Sequence, residues 1–384
     1  MQKQNKSAGA EAKNITVPQE LRVFVVDIVP PNFPQDVIQD RLAELESLVS
    51  TYQWVVIVKA IQKRSQPDYR TYVWSGKLDE IKADMIEQKA QLLIIGNIMK
   101  PWQVYNVSEL FRKDKIQVRD RVDLILKIFE RHATGTEARL QIELAAIKHM
   151  WPRIFGMGME LSRQWWWIGW SGIGETNTER MKRHLKEKIL VVQKKLEQYK
   201  KVRGLHRDAR LRKDLFTVGI VWYTNAGKSA LMHSLTWKNI LVENKLFATL
   251  GTAVWEMKPP TDGEWSSHKI LINDTVGFIR DLPPDLIDAF ASTLEDSVQS
   301  QLLLHVVDAS DPKLADKIHV VDDILWQIQA TQEKIYVFNK KDALSLEQYE
   351  KIKKDYADYN PIFVSALTAE GLDALKAVIL SKAA

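Results

Sequence analysis

An apolar strand that runs directly into a phosphate-loop sequence constrains the fold of this chain more than any other feature. The strand is predicted over Phe216 to Val221, and the loop that follows reads WYTNAGKS over residues 222–229. In the pattern GxxxxGK[ST], backbone N–H groups surround the β-phosphate, the lysine reaches the β- and γ-oxygens, and the hydroxyl binds Mg²⁺. A helix that starts at the lysine directs its N-terminus at the anion. The segment therefore predicts an α/β nucleotide-binding domain, although Trp222 stands in place of the first glycine.

Three further motifs follow in the chain, each after a predicted strand. The strand from Leu271 leads into DTVG over residues 274–277, where the aspartate can hold the Mg²⁺ shell and the glycine N–H can meet the γ-phosphate. The strand Ile335 to Phe338 leads into NKKD over residues 339–342. Val364 precedes Ser365-Ala366, a motif that supports the base of the bound nucleotide.

The motif NKxD predicts the base that is bound. In this pattern the aspartate, here Asp342, is expected to accept two hydrogen bonds from the N1 and N2 groups of guanine. Adenine presents no such pair of donors, so the motif favours GTP over an ATP-using P-loop enzyme. Read alone, Asp274 or Asp342 can also be interpreted as an ordinary loop capping residue. Four motifs in this order, each at a strand end, predict a P-loop GTPase domain.

The whole chain is predicted to be α/β, with a small N-terminal α/β domain, a helical hairpin linker and a C-terminal P-loop GTPase domain with a mostly parallel sheet. Strand-like runs at Val23–Val29, Val55–Val58 and Leu92–Ile95 alternate with helical stretches at Asp36–Leu48 and Leu78–Lys89. The predicted boundaries are a disordered tail over 1–20, the first domain over 21–135, the hairpin over 136–213 with a long loop over 156–176, and the GTPase domain over 214–384.

Positive charge is concentrated in the second half of the hairpin. The net charge is only +5, but between residues 180 and 213 only Glu187, Glu197 and Asp208 oppose a run of basic residues. These basic residues are Arg180, Lys182, Arg183, Lys186, Lys188, Lys194, Lys195, Lys200, Lys201, Arg203, Arg207, Arg210, Arg212 and Lys213. Such a run favours a polyanion such as RNA, although a solvated linker face is the simpler alternative.

Composition excludes several classes of protein. The chain has no cysteine, which rules out disulfides, a Cys-ligated zinc site and thiol catalysis. No apolar run is long enough to span a membrane, and the polar N-terminus carries no secretory signal. We therefore expect a soluble, cytoplasmic protein, and we expect it to be a monomer.

Several segments together resemble the HflX family of ribosome-associated GTPases. They are YTNAGKS (223–229), FATL (247–250), DTVGFIR (274–280) with Leu282-Pro283, LLHVVDASDP (303–312), ARLQIEL (138–144), LSRQ (161–164) and GET (174–176). The resemblance covers nearly the whole chain after the tail. It implies a GTP-binding and GTP-hydrolysing protein that associates with the large ribosomal subunit and its rRNA, near the peptidyl-transferase centre, and that splits or rescues ribosomes under stress.

The resemblance also implies roles for single residues. The expected catalytic residues are Lys228, Thr249, Gly277 and Phe278, where Phe278 occupies the position of a water-orienting glutamine in many small GTPases, so that intrinsic hydrolysis should be slow. The expected metal ligands are Ser229, Asp274 and a switch I threonine, either Thr249 or Thr252, around Mg²⁺. Asn225 matches a residue that ligates K⁺ in related GTPases. The expected nucleotide-binding residues are Tyr223, Thr224, Asn225, Ala226, Gly227, Lys228, Ser229, Asp274, Gly277, Asn339, Lys340, Asp342, Ser365 and Ala366.

Tryptophan replaces glycine at several positions of the family pattern. These are Trp222 in the phosphate loop and Trp165, Trp166, Trp167 and Trp170 in the long loop, with Trp74 and Trp102 as further cases. An indole at position 222 adds bulk beside the phosphate site, where glycine permits a tight turn. Either the indole is directed away from the phosphate site and nucleotide binding survives in weakened form, or the indole obstructs the site. In the second case the protein is an RNA-binding or ribosome-binding module with impaired or absent nucleotide hydrolysis. Leu367, at a position that is usually lysine in the family, should weaken packing on the guanine.

Overall fold

The computed structural model describes residues 21–133, 135–155, 177–212, 215–236, 253–258, 269–274, 277–283, 286–287 and 300–383. The predicted tail over 1–20 and the predicted loop over 156–176 lie outside these ranges. Within the described ranges, none of the helices combines the length and the apolar character that a bilayer span requires.

The first part of the chain forms a four-stranded parallel sheet. Its strands are β1 (Arg22–Val29), β2 (Val55–Lys63), β3 (Leu92–Ile95) and β4 (Gln117–Asp120), in the order β2-β1-β3-β4. Strands β1 and β3 are almost wholly apolar and buried, as expected for strands with helices on both faces.

Four helices connect and follow these strands. They are α1 (Gln35–Thr51), α2 (Ser75–Glu87), α3 (Pro101–Phe111) and α4 (Arg121–His132). The proline at the first position of α3 already has helical φ, and Asp120 caps α4 by accepting a hydrogen bond from the N–H of Asp123. Neither the helix α3 nor the four-residue strand β4 was predicted from the sequence.

Two long helices form the predicted hairpin, α5 (Thr136–Phe155) and α6 (Asn177–Arg212). Leu140 and Leu144 of α5 pack against Val192 of α6. Farther along, Ile147 packs against Leu185. These contacts form a helix–helix interface, and the prediction that the two helices pair as a hairpin is confirmed.

The last part of the chain forms a six-stranded sheet in the order β10-β9-β8-β5-β7-β6. Its strands are β5 (Phe216–Trp222), β6 (Ala253–Glu256), β7 (Ile270–Asp274), β8 (Leu302–Asp308), β9 (Glu333–Asn339) and β10 (Ile362–Phe363). All pairings are parallel except that of β6 with β7. The helices described here are α7 (Lys228–Leu235), α8 (Leu314–Gln327), α9 (Leu346–Asp355) and α10 (Leu372–Ala383). The predicted fold class is therefore confirmed.

The two sheets share one apolar core. Leu45 and Phe129 from the first unit belong to the same buried cluster as Phe278, Ile279 and Leu325 from the second. This common core fixes α1 next to the edge of the second sheet where the sequence motifs lie.

Candidate nucleotide-binding site

The phosphate loop has the backbone geometry that an anion site requires. Gly227 adopts a left-handed conformation (φ +86°) immediately before α7, where a Cβ would lie only 2.4 Å from Nδ2 of Asn339. Residue 227 must therefore be glycine. Asn225 is also left-handed (φ +70°), and the N–H of Ala226 returns to the carbonyl of Tyr223 at 3.2 Å. The loop leads into the N-terminus of α7, at which Lys228 and Ser229 are the first two residues.

Asn339 connects this loop to the segment expected to back the base. Its side chain donates a hydrogen bond to the carbonyl of Ala226 at 2.9 Å and accepts one from the N–H of Ala366 at 3.0 Å. The side chain is 2% exposed, so both bonds are made away from bulk water. One amide thus sets the distance between the phosphate end and the base end of the candidate site.

Asp342, the residue expected to recognise guanine, is held by Ser365. The Ser365 hydroxyl donates to Oδ1 of Asp342 and accepts from the N–H of Thr368 at 3.0 Å. Lys340, in a left-handed conformation (φ +63°), places its ammonium group 2.6 Å from a carboxylate oxygen of Asp308. Leu367 is 84% exposed. The structure therefore brings Asn339, Lys340, Asp342, Ser365 and Ala366 together at the carboxyl ends of β9 and β10.

The segment that follows β7 is hydrogen-bonded to the phosphate loop. The N–H of Phe278 donates to the carbonyl of Trp222 at 2.8 Å, and the carbonyl of Phe278 accepts from the N–H of Thr224 at 2.8 Å. The Phe278 ring is 2% exposed and lies in the core shared by the two sheets. An apolar buried ring offers no hydrogen bond to an attacking water, so its contribution here is to packing.

Trp222 lies on the other side of β5, in the core between the sheet and α7. Its side chain is 5% exposed. The Lys228 ammonium is 4.3 Å from the centre of the indole ring. This distance is within the range of a cation–π interaction.

Sequence reasoning missed a polar network that joins the site to α1. Glu44, on α1, accepts hydrogen bonds from the hydroxyl of Tyr223, from Nε of Arg280 at 3.1 Å and from Nη2 of Arg121. Arg280 also pairs with Asp40, and its N–H donates to the Tyr223 hydroxyl at 3.1 Å. Burial raises the pKa of Tyr223, and the negative charge of Glu44 raises it further. A tyrosine in the phosphate loop was the one signal in the sequence that could have pointed to this network.

Some predicted residues lie outside the described part of the chain. They are Thr249, Thr252 and the loop tryptophans Trp165, Trp166, Trp167 and Trp170. Asp274 ends β7 and pairs with Ala253, and nothing is described of its side chain.

Three protein families match successive parts of the chain. Their descriptions are "GTP-binding GTPase N-terminal" for residues 39–130, "GTP-binding GTPase Middle Region" for 132–210 and "50S ribosome-binding GTPase" for 217–340. The matched segments cover three of the four strands of the first sheet, the helical hairpin and most of the second sheet.

Individual relatives match over most of their length. The GTPase HflX of Caldanaerobacter subterraneus is 37% identical over 92% of this chain and 78% of the relative. The GTPase HflX of Escherichia coli K12 is 36% identical over 89% of this chain and 79% of the relative. Among solved structures, the crystal structure of SsGBP in complex with GDP is similar, with a TM-score of 0.52, 25% identity and coverage of 94% of this chain and 98% of that one.

Proposed function

This chain belongs to the HflX family of GTP-binding GTPases, and we propose that it hydrolyses GTP at the site between the phosphate loop and the NKKD segment while bound to the large ribosomal subunit. The observation that carries the assignment of the site is the amide of Asn339. By bonding to both Ala226 and Ala366, it holds the phosphate-binding loop and the base-binding segment in a fixed relation.

Guanine selection would come from Asp342. Its carboxylate is positioned by the Ser365 hydroxyl, which leaves other carboxylate lone pairs for the N1 and N2 donors of the base. Because adenine lacks that pair of donors, the site would bind guanine nucleotides and reject adenine nucleotides. The phosphates would lie over the α7 N-terminus, where the loop N–H groups and Lys228 offer positive charge.

The donor set at the phosphate end suits Mg²⁺. Ser229, in the first turn of α7, supplies a hydroxyl, and Asp274 ends β7, the strand adjacent to β5. Mg²⁺ prefers such oxygen ligands together with phosphate oxygens. Bound there, Mg²⁺ would neutralise charge that develops on the phosphates. We further propose that a switch I threonine, Thr249 or Thr252, completes this shell and that K⁺ binds near Asn225.

The assignment of the base site is tested by Asp342→Asn. The amide oxygen could still accept from guanine N1–H, but the amide N–H would face the 2-amino donor of guanine. In xanthine an oxygen replaces that amino group and can accept from the amide N–H. We expect GDP affinity to fall by at least about a hundredfold, equivalent to ~2.7 kcal/mol, with a gain in XDP affinity. Isothermal titration calorimetry measures both. Asp358→Asn, at an exposed carboxylate outside the site, is the matched control, and equal GDP affinity in all three proteins contradicts the assignment.

The ribosomal partner is supported by the exposed basic face of α6. Arg180, Arg183, Lys186, Lys194, Lys195, Lys200 and Lys201 are all exposed, and clustered cations of this kind bind a phosphate backbone with strong salt dependence. We propose that this face contacts rRNA and that the protein acts in ribosome splitting or rescue under stress, as a cytoplasmic monomer.

Sedimentation with purified large subunits tests this contact. Replacing Lys194, Lys195, Lys200 and Lys201 by glutamine should weaken binding and reduce its salt dependence. The control removes the same charge elsewhere, at the exposed residues Lys113, Lys351, Lys353 and Lys354. If both variants bind alike, the α6 face is not the contact.

A further inference from the structure

The position of Trp222 follows from the alternation of side chains along β5. Val218, Ile220 and Trp222 face the core beneath α7, whereas Val221 and Tyr223 face the core shared with the first sheet. Trp222 is the last residue of the strand, so its indole lies beside the start of α7 rather than deep under it. The side chain is therefore directed towards the phosphate end of the site.

Two contacts fix where the indole lies. On one side, the ammonium group of Lys228 lies 4.3 Å from the ring centre. On the other, the ring edge packs on the backbone of Gly277, so closely that a Cβ at Gly277 would be 2.4 Å from Nε1 and 2.9 Å from Cε2 of the indole. The indole thus fills the space between the phosphate-loop lysine and the glycine of the DTVG segment.

That space is where a third phosphate would have to lie. In a P-loop site the lysine reaches the β- and γ-phosphates, and the DxxG glycine offers its N–H to the γ-phosphate. An indole face carries negative π density, so it attracts the lysine cation but repels an anion. A γ-phosphate and the indole cannot occupy this position together.

The β-phosphate half of the site is not blocked in this way. The left-handed Gly227 and the N-terminus of α7 are both present, and Asn339 still supports the loop through Ala226. A nucleoside diphosphate therefore keeps the backbone N–H contacts of the loop and of the α7 N-terminus in this conformation, whereas a triphosphate must first displace the indole from Lys228 and Gly277.

We infer that Trp222 is a specificity-determining residue which makes this site favour GDP over GTP, and that GTP hydrolysis in this protein requires the indole to leave the space between Lys228 and Gly277. This inference rests on the proposed guanine-nucleotide site. It adds to that proposal a preference between diphosphate and triphosphate, set by one side chain of this chain.

The test compares the affinities of GDP and of a non-hydrolysable GTP analogue, both with Mg²⁺, by calorimetry on the full chain and on Trp222→Gly. We expect the unaltered protein to bind GDP at least about tenfold more tightly than the analogue, a difference of ~1.4 kcal/mol. In Trp222→Gly the preference should largely disappear through tighter binding of the analogue, with GDP affinity changed little. Single-turnover GTP hydrolysis should be faster in the same variant.

Trp326→Ala is the matched control, because that tryptophan is 81% exposed on α8, and it should keep the preference of the unaltered protein. Equal affinity of the unaltered protein for GDP and the analogue overturns the inference whether or not Trp222→Gly folds. An unchanged preference in a folded Trp222→Gly overturns it as well. If no protein in the series binds either nucleotide, the proposed site itself is wrong, which is a distinguishable result.

Discussion

Tyr223 in the phosphate loop donates a hydrogen bond from its hydroxyl to Glu44 on α1, although 179 positions separate the two residues. The Glu44 side chain is 8% exposed, and it also accepts from Arg121, which is 3% exposed. A buried carboxylate is stable only when it is paired and hydrogen-bonded. The phosphate loop and α1 are therefore connected by a network of hydrogen bonds and ion pairs, in which the charges of Glu44, Arg121 and Arg280 compensate one another.

Replacing Glu44 by glutamine should destabilise the fold. The change leaves the Arg121 and Arg280 cations without their shared carboxylate in a mostly buried place, and we expect the free energy of unfolding to fall by about 3 kcal/mol. Urea unfolding followed by circular dichroism measures this change. Glu46→Gln is the matched control on the same helix, because Glu46 pairs with Lys59 and both side chains are well exposed. The control should lower the free energy of unfolding by less than about 1 kcal/mol. An equal effect of the two variants would show that Glu44 stabilises the fold no more than an exposed ion pair does.

Gly277→Ala should be destabilising only while Trp222 is present. The added Cβ would lie 2.4 Å from Nε1 of the indole, and the indole is confined between Gly277 and Lys228. Overpacking of this kind costs about 1–3 kcal/mol. In the Trp222→Gly background the cost should largely vanish. A double-mutant cycle on unfolding free energies checks the contact, and strictly additive effects would contradict it.

Ser365→Ala should weaken guanine-nucleotide binding without unfolding the protein. The hydroxyl orients Asp342 and accepts from the N–H of Thr368, and both bonds are lost. A net loss of about 1 kcal/mol corresponds to roughly a fivefold weaker GDP affinity. Ser381→Ala, at a hydroxyl that donates to the carbonyl of Val378 within α10, serves as the comparison. GDP affinity that is the same in both variants would mean that Asp342 does not depend on Ser365.

Stability should fall as the pH rises through the titration of His149. Burial opposes the charge on this imidazole, but the hydrogen bonds and charges of Asp120 and Asp123, at 3.4 and 3.5 Å from Nε2, outweigh burial and raise its pKa to about 9. A raised pKa contributes stability in full below the unfolded value of about 6.5 and loses it as the pH approaches 9. The contribution is up to about 3 kcal/mol, since one pKa unit is 1.36 kcal/mol.

In His149→Gln the free energy of unfolding should decrease less between pH 6.5 and 9 than in the unaltered protein. In His319→Gln, at an exposed histidine of α8, the decrease should be the same as in the unaltered protein. Thermal unfolding across this pH range tests the difference. A decline that is the same in the unaltered protein and in His149→Gln would assign it to other groups.

Local sequence was sufficient for the elements whose pattern is strong. The runs at β1, β3 and β5 are apolar over most of their length. The motifs GKS, DTVG and NKKD were identified because each one directly follows an apolar run. The helical hairpin of α5 and α6 was also predicted, since apolar side chains at steps of three and four share a helix face. Strand β4 was missed because a four-residue strand with three polar residues carries little periodic signal.

Sequence by itself determined the family, the α/β class and the residues expected at the nucleotide site, because each depends on motifs that are contiguous in the chain. Tertiary structure alone decided which residues from distant parts of the chain meet. The pairing of Glu44 with Tyr223 and the packing of Trp222 against Gly277 depend on how the helices and strands are placed in three dimensions. A local sequence pattern does not specify which residues from other parts of the chain a side chain will contact. The indole at position 222 could be recognised as unusual from sequence, but the space it fills is defined only once β5, β7 and α7 are brought together.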